Sequence, residues 1–406
     1  MSNNQNNSLS DNFVFDKRLY VIFLIIFTEV LGFSMVLPLI PYLGLELRLT
    51  PVEIGLIASV FSFCQLFASP VTGKLSDRFG RKPLFILSQI STFTGFLLLG
   101  FANTHVLLFA ARIIDGLLGS NMTVSQAYIS DVVEPKHRTR VFGYSSGVFG
   151  AGLIFGPVIG GVLSNIDYSV PMFFAASITL VSIVLVIIFL TETVTQKPDK
   201  LELGFNDVLP IKDVVRFGKI PNVRNSLFMF FIYNIGFQIF ISNFSLLAEA
   251  QLNATAGQVG FYLAWIGILR VVIQTVFMAR ILRAMGEDSI LRTGVLALTV
   301  SMILLALSAD YLIVFVPLVF LAYGTGVTRP ILTSKLTNCV TQKDTATILG
   351  VNNSLTSIAQ IVTPIAGGFM IEYLPSQTVP LLAAMFLGSL LFFIRNHGKE
   401  ENPKNC

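Results

Sequence analysis

The sequence predicts an all-α membrane protein of twelve transmembrane helices, arranged as two pseudo-symmetric six-helix bundles. Three observations carry this. The 406-residue chain is 53% hydrophobic and only 12% charged, with a mean hydropathy of +0.75, whereas soluble domains carry about 25% charged residues. Apolar runs of about 20 residues, each long enough to cross a bilayer as a helix, recur along its length. Glycine and proline patterns in the first half return in the second at an offset of 207 residues.

The elements follow in order. Residues 1–18 are polar, rich in Ser and Asn, and lack a cleavable signal pattern, so they read as a cytoplasmic tail with the first span retained as an anchor. Spans at 19–43, 52–73, 84–103, 105–129, 141–165 and 169–190 form a first bundle, 19–190. A cytoplasmic linker, 191–225, holds Lys197, Lys200, Lys212, Arg216, Lys219 and Arg224. Spans at 226–250, 257–279, 290–309, 312–337, 345–373 and 378–395 form a second bundle, 226–395, followed by a cytoplasmic tail, 396–406. With the N-terminus inside, 23 of the 27 Lys and Arg fall on the inner side and only Arg48 falls in an outer loop. That asymmetry predicts both termini in the cytoplasm of a multi-pass plasma-membrane protein. The net charge of +4 sits in loops between spans and is no nucleic-acid footprint. Cys64, Cys339 and Cys406 have no metal or redox spacing, and no disulfide is expected.

Between the second and third spans lies a basic island, Gly73-Lys-Leu-Ser-Asp77-Arg78-Phe-Gly80-Arg81-Lys82-Pro83. Gly73 and Gly80 permit a tight turn, and Pro83 suits the first turn of the next helix. The pattern G-x-L-x-D-R-x-G-R-K resembles the loop between helices two and three of the major facilitator superfamily of secondary transporters. That resemblance implies an inner latch made by Gly73, Asp77, Arg78, Gly80, Arg81 and Asp131. Asp77 would dock near the N-terminus of the eleventh helix, and Arg81 would pair with Asp131 at the end of the fourth.

The repeat is clearest where Gly143, Pro157, Gly160 and Gly161 match Gly350, Pro364, Gly367 and Gly368. Gly119 matches Gly326 at the same offset, and the stretch 279–288 is a worn copy of the basic island. Two six-span halves related in this way are what the resemblance to this superfamily implies, with a substrate site between them near the midplane.

Ionisable groups within spans are costly and mark function by default. Glu29 lies roughly 16 Å along the first span from Arg18, at 1.5 Å per residue. Burial there disfavours a permanent charge, which suits a carboxyl that loads and releases a proton. The stretch Glu29-Val-Leu-Gly32 through Pro38 and Pro41 resembles the first helix of drug–proton antiporters such as the tetracycline exporters, which carry Asp where this chain has Glu. Arg112 and Asp115 share one face of the fourth span. Arg112-x-x-x-Gly116 resembles the family's fourth-helix motif, which is linked to proton transfer. Asp115 either neutralises Arg112 or adds a second proton site. Arg270 and Arg329 lie in the eighth and tenth spans, where no acid sits mid-span. They face a water-filled cavity, pair with Glu29 or Asp115 across the interface, or bind an anionic substrate; for Arg329, snorkelling to the inner surface is an equal reading. Arg270 and Gln274 make an i,i+4 polar edge.

Along 143–161, small residues recur at spacings near four, which lets helices approach closely. Gly152, Gly156, Pro157, Gly160 and Gly161 resemble the fifth-helix motif associated with antiporters. Gln126, Asn234, Gln238, Asn352, Asn353 and Gln360 would line a cavity if they face inward, and a site with apolar walls and few polar groups suits amphipathic ligands. No Walker loop, nucleophile–base pair or mid-span His is present, so no enzyme activity, ATP drive, metal or cofactor is expected. The sequence thus reads as a monomeric, bilayer-embedded exporter of amphipathic small molecules in exchange for protons. Glu29, Arg112 and Asp115 would couple the proton. Glu29, Gln126, Asn234, Gln238, Arg270, Gln274, Arg329, Asn353 and Gln360 would meet the substrate. The alternative is a symporter or uniporter for a natural metabolite, an anion being the case in which Arg270 and Arg329 serve the site.

Overall fold

The structure, a computed structural model, describes residues 16–119, 121–194, 210–341 and 344–397. The tail up to residue 15, the linker stretch 195–209 with Lys197 and Lys200, and the C-terminal tail from residue 398 lie outside these. Among the described residues there is no strand. Helix α1 (Lys17–Val36) passes through a 3-10 turn at Leu37–Leu39 into α2 (Ile40–Glu46). Pro38 and Pro41 cause this break, because neither offers an N–H to the preceding turn. Helix α3 (Pro51–Phe79) starts on a capping box in which Thr50 and Glu53 satisfy each other's backbone N–H. Then come α4 (Arg81–Gly100), α5 (His105–Leu118), α6 (Asn121–Val132), α7 (Pro135–Leu163) and α8 (Ser169–Phe189).

The second half opens with a short amphipathic helix, α9 (Ile211–Gly218), whose Phe217 is buried and whose Arg216 reaches Asp344 at 3.0 Å. Helices α10 (Pro221–Ile241) and α11 (Phe244–Leu252) meet at a bend of 47°. Helix α12 (Ala256–Val272) begins on a second capping box, Thr255 with Gln258, and runs through a π-helical turn at Ile273–Phe277 into α13 (Met278–Ala284). The last four are α14 (Glu287–Leu307), α15 (Phe315–Asn338), α16 (Thr345–Tyr373) and α17 (Thr378–His397).

Ten of these helices or continuous runs are long and apolar enough to cross a bilayer; the bent pair α10–α11 makes an eleventh, and Thr378–Ile394 is a shorter apolar helix. The all-α membrane class therefore holds, with Ile187, Ile188, Val316 and Phe392 among many apolar side chains left exposed for lipid. Three expectations change in detail. The basic island is not a loop: α3 runs on to Phe79, and Gly73 is helical. Gly80 alone makes the turn, at φ 113°, a conformation that L side chains rarely adopt. The span 105–129 is two helices, separated at Gly119. The linker 191–225 contains α9, and the next span already begins at Pro221.

The two halves meet along two seams, α3 against α16 and α7 against α12. Both seams are tight at the end away from the termini. There Gly368 packs on Pro51 and Val52, Gly55 on Pro364, Gly260 on Pro157 and Gly161 on Gly257. Tyr42 donates a hydrogen bond to Ala254 O at 2.7 Å, and Val52 N donates to Glu372 at 3.1 Å. Toward the termini the seams part. A Cβ added at Gly267 would lie 2.9 Å from Ile154, one at Gly150 would lie 4.0 Å from Val271, and at Gly147, Gly143 and Gly350 it would meet nothing within 4 Å. The halves are thus splayed at the end that carries both termini.

Candidate functional site

Glu29 reaches the first half's polar centre from α1. Its Oε2 accepts a 2.9 Å hydrogen bond from Asn121 Nδ2, and the same amide lies 3.4 Å from Thr92 Oγ1 on α4. Thr92 also hydrogen-bonds Asp115. Asp115, 5% exposed, stands 3.3 Å from the guanidinium of Arg112, 2% exposed. Arg112 lies 5.3 Å from the Phe61 ring centroid, yet its buried Nε has no hydrogen-bond partner. The result is a chain of groups, Glu29–Asn121–Thr92–Asp115–Arg112, strung across three spans. Glu29 is partly exposed at one end and the Arg112–Asp115 pair is sealed at the other.

The break between α5 and α6 shapes this chain. Gly119 N donates to Asp115 O at 2.7 Å, and a Cβ at Gly119 would fall 2.7 Å from Asp115 Oδ1 and 3.1 Å from Thr92 Oγ1. Only glycine lets the backbone pass so close to the carboxylate. Asn121, at the start of α6, is a residue that sequence reasoning missed. An asparagine two residues after a mid-span glycine, next to a mid-span acid, is the signal that could have found it.

The second half holds the arginines. Arg270 is partly buried and Arg329 exposed. Gln274 Nε2 donates to Gly326 O at 3.2 Å, and Gly326 also lies against the Arg270 side chain. Neither arginine pairs with Glu29 or Asp115, whose described partners are Asn121, Thr92 and Arg112. Asn234 donates to Thr356 at 3.0 Å, tying α10 to α16. Gln238 and Gln360 are partly buried. A cavity of about 490 Å³ lies between α3, α6 and α16 and extends to Pro210 of the linker; Gln126 and Asn353 line it, with Gln65, Ser69, Thr123 and Ser354. Asn352, by contrast, is buried.

The basic turn is stitched within the first half. Arg81 Nε stands 2.9 Å from Asp131, and Arg81 also holds Asp77 at 2.6 Å and the Ser76 hydroxyl. Asp77 thus pairs across the Gly80 turn with the first residue of α4, and its carboxylate is half exposed. Arg78 lies over Phe79 at 5.6 Å. Glu192, which the sequence did not mark, accepts from the N–H groups of Arg81 at 2.8 Å and Lys82 at 3.1 Å, the free start of α4. Its carboxyl is held below the ordinary range: burial raises it, but these N–H groups and those of Thr193 and Val194 outweigh burial.

On α7 the small residues divide between two partners. Gly152, Gly156 and Gly160 lie against Val30, Leu31, Ser34 and Met35 of α1, and Ser34 Oγ donates to Gly152 O at 2.9 Å. Pro157 and Gly161 face Gly260 and Gly257 of α12.

Comparison with known proteins agrees over the whole length. The sequence profile of the Major Facilitator Superfamily matches residues 22–225 and again 226–405. A class H tetracycline resistance protein of Pasteurella multocida is 27% identical over 399 residues, covering 96% of this chain and 98% of that protein. Multidrug resistance protein 1 of Bacillus subtilis is 27% identical over 353 residues, covering 86% and 88%. Among solved structures, the human organic anion transporter MFSD10 (TETRAN) superposes with a TM-score of 0.68 at 21% identity, over 93% of this chain and 98% of that one. The nucleoside transporter NupG superposes with a TM-score of 0.77 at 13% identity, over 93% and 99%.

Proposed function

The chain belongs to the major facilitator superfamily of transporters, and from that premise we propose that it exports amphipathic small molecules of the multidrug type in exchange for protons. The observation that carries this reading is Glu29: a carboxylate within a span, partly exposed, hydrogen-bonded to Asn121 and linked through Thr92 to the sealed Arg112–Asp115 pair. A carboxylate so placed can hold a proton or a ligand's polar group, and it has no permanent cationic partner among the described residues. Relatives that carry the names tetracycline and multidrug resistance protein favour an efflux role.

The excess of Lys and Arg on the termini-bearing side favours an orientation with that side in the cytoplasm, and the plasma membrane is the membrane of this reading. The splayed end is then the cytoplasmic one. The described geometry suits the loading state, in which a substrate enters between α3, α6 and α16. Rocking of one half against the other about the two glycine-lined seams would close that end and open the other. Arg81 and Asp131 keep the basic turn rigid while this happens, and Asp77, paired with Arg81 but half exposed, would exchange that partner for a dock across the halves when they close. The transporter works as a monomer.

The test is transport in proteoliposomes with an imposed pH gradient, read by an internal pH dye while tetraphenylphosphonium, a neutral amphipath or an organic anion is added. Proton movement opposite to the added compound supports antiport. Movement of compound without any proton flux overturns it.

A further inference from the structure

Arg270 and Arg329 are left without a counter-charge. Among the described residues neither forms an ion pair, and the second half's acids are engaged or lie at helix ends: Asp288 with Lys335 at 2.7 Å, Asp344 with Arg216 at 3.0 Å, Glu372 with Val52 N. The two guanidiniums nevertheless lie within electrostatic reach of each other and of one phenol, Tyr233. Geometry agrees. Arg270 and Gln274 of α12 pack on Gly326 of α15, and Arg329 follows Gly326 by three residues, on the same face. Tyr233 of α10 is only 1% exposed and is stacked on Phe237 at 6.0 Å and 2°, but its hydroxyl bonds to no described group. The helix turns into its π-helical segment at Ile273–Phe277, which begins three residues after Arg270 and contains Gln274. Such turns gather at functional sites.

Two like charges brought together in a membrane protein, with no acid nearby, repel one another, and the partly buried Arg270 also costs desolvation. An anion between them would relieve both terms, and a buried phenol with a free O–H would add a donor. We propose that Arg270, Arg329 and Tyr233 form the binding site for the anionic group of the transported molecule, so that the substrate class is organic anions with a carboxylate or sulfonate on an apolar body. Guanidinium groups bind such groups by charge-assisted hydrogen bonds, and the stacked Tyr233–Phe237 wall offers the apolar contact. This rests on the transporter reading and deepens it.

The experiment is equilibrium binding, by fluorescence polarisation, to the full chain in phosphatidylcholine nanodiscs. The probes are two dyes on one xanthene framework: anionic fluorescein and cationic rhodamine 123. No gradient is applied, so the result is separate from proton coupling, which the gradient assay reads. Fluorescein is expected to bind the wild type, and Arg270→Gln and Arg329→Gln are each expected to weaken it about tenfold or more. Tyr233→Phe should weaken it severalfold, and rhodamine 123 should lose nothing in any variant. Arg329 is exposed, so Arg329→Gln keeps the fold, and Arg270→Lys retains the charge as a control for Arg270→Gln. Failure of the wild type to bind fluorescein, or wild-type affinity in both glutamine variants, overturns the proposal. So does loss of dye binding on adding phosphatidylglycerol, which would assign the arginines to a lipid headgroup.

Discussion

Asn121 donates its side-chain amide to Glu29 across 2.9 Å, and this one bond joins the first span to the start of the helix beyond the break in the fourth. It exists because α5 stops at Leu118 and α6 restarts at Asn121, which turns the amide toward α1 rather than along a continuous helix. The half-buried carboxyl of the polar chain is therefore positioned by a residue with no charge of its own.

Replacing Asn121 by Ala removes that donor and leaves Glu29 without its described partner. A loss of about 1–3 kcal/mol is expected for a buried polar group so orphaned. Thermal unfolding in detergent should shift down, and gradient-driven transport should fall about tenfold. Asn121→Gln, which keeps an amide at the wrong length, should recover stability more than transport.

The glycines of α7 separate packing from movement. A Cβ at Gly156 would lie 2.8 Å from Leu31 O and 3.0 Å from Met35 N, both backbone atoms. Gly156→Val should cost about 1–3 kcal/mol or more by overpacking, seen as low yield and early melting. Gly147 meets nothing within 4 Å, so Gly147→Leu should melt like the wild type. It should nevertheless slow transport several-fold if the splayed end must close, and normal turnover in that variant would contradict the rocking motion.

Arg81 is 8% exposed and holds Asp77, Asp131 and Ser76 at once. Its geometry is a guanidinium's, so Arg81→Lys should behave as a loss rather than a conservative change. Both carboxylates are partly solvated, which limits the coupling. A double-mutant cycle of Arg81→Ala with Asp131→Asn, read by thermal unfolding, should give a coupling of about 1 kcal/mol.

Glu192 makes the start of α4 pH-sensitive. Its folded-state carboxyl is depressed, so the stabilisation is complete above the ordinary glutamate range and is lost as pH falls through the lower folded value. Protection of the Arg81 and Lys82 amides from hydrogen exchange, relative to the intrinsic rate at each pH, should be high at neutral pH and fall on acidification. In Glu192→Gln that pH-dependent loss should be absent, with low protection throughout.

Much of this was legible in the chain itself. Hydropathy, the Lys and Arg asymmetry and the 207-residue repeat pointed to the fold class, because lipid imposes long apolar helices and little else. The Arg81–Asp131 and Arg112–Asp115 contacts fall between residues already singled out in the sequence, by motif or, for Asp115, as an ionisable group within a span. What stayed hidden depends on three-dimensional placement. Asn121, Thr92 and Tyr233 are ordinary residues in sequence, distinguished only by which helix faces them. Glu192 lies 111 residues from the amide it caps. The turn at the basic island was misplaced because Gly73 and Gly80 look equivalent in the motif, while only Gly80 takes the positive φ.

The most direct measurement compares wild type and Glu29→Gln in proteoliposomes under the same pH gradient, following uptake of an exported dye and internal pH together. Glutamine keeps the hydrogen-bonding shape opposite Asn121 but cannot exchange a proton. Gradient-driven transport should fall by at least about a hundredfold, the scale expected when a proton-transfer group is lost, while gradient-free exchange of the dye persists. Gradient-driven transport at wild-type rates in Glu29→Gln would contradict the account.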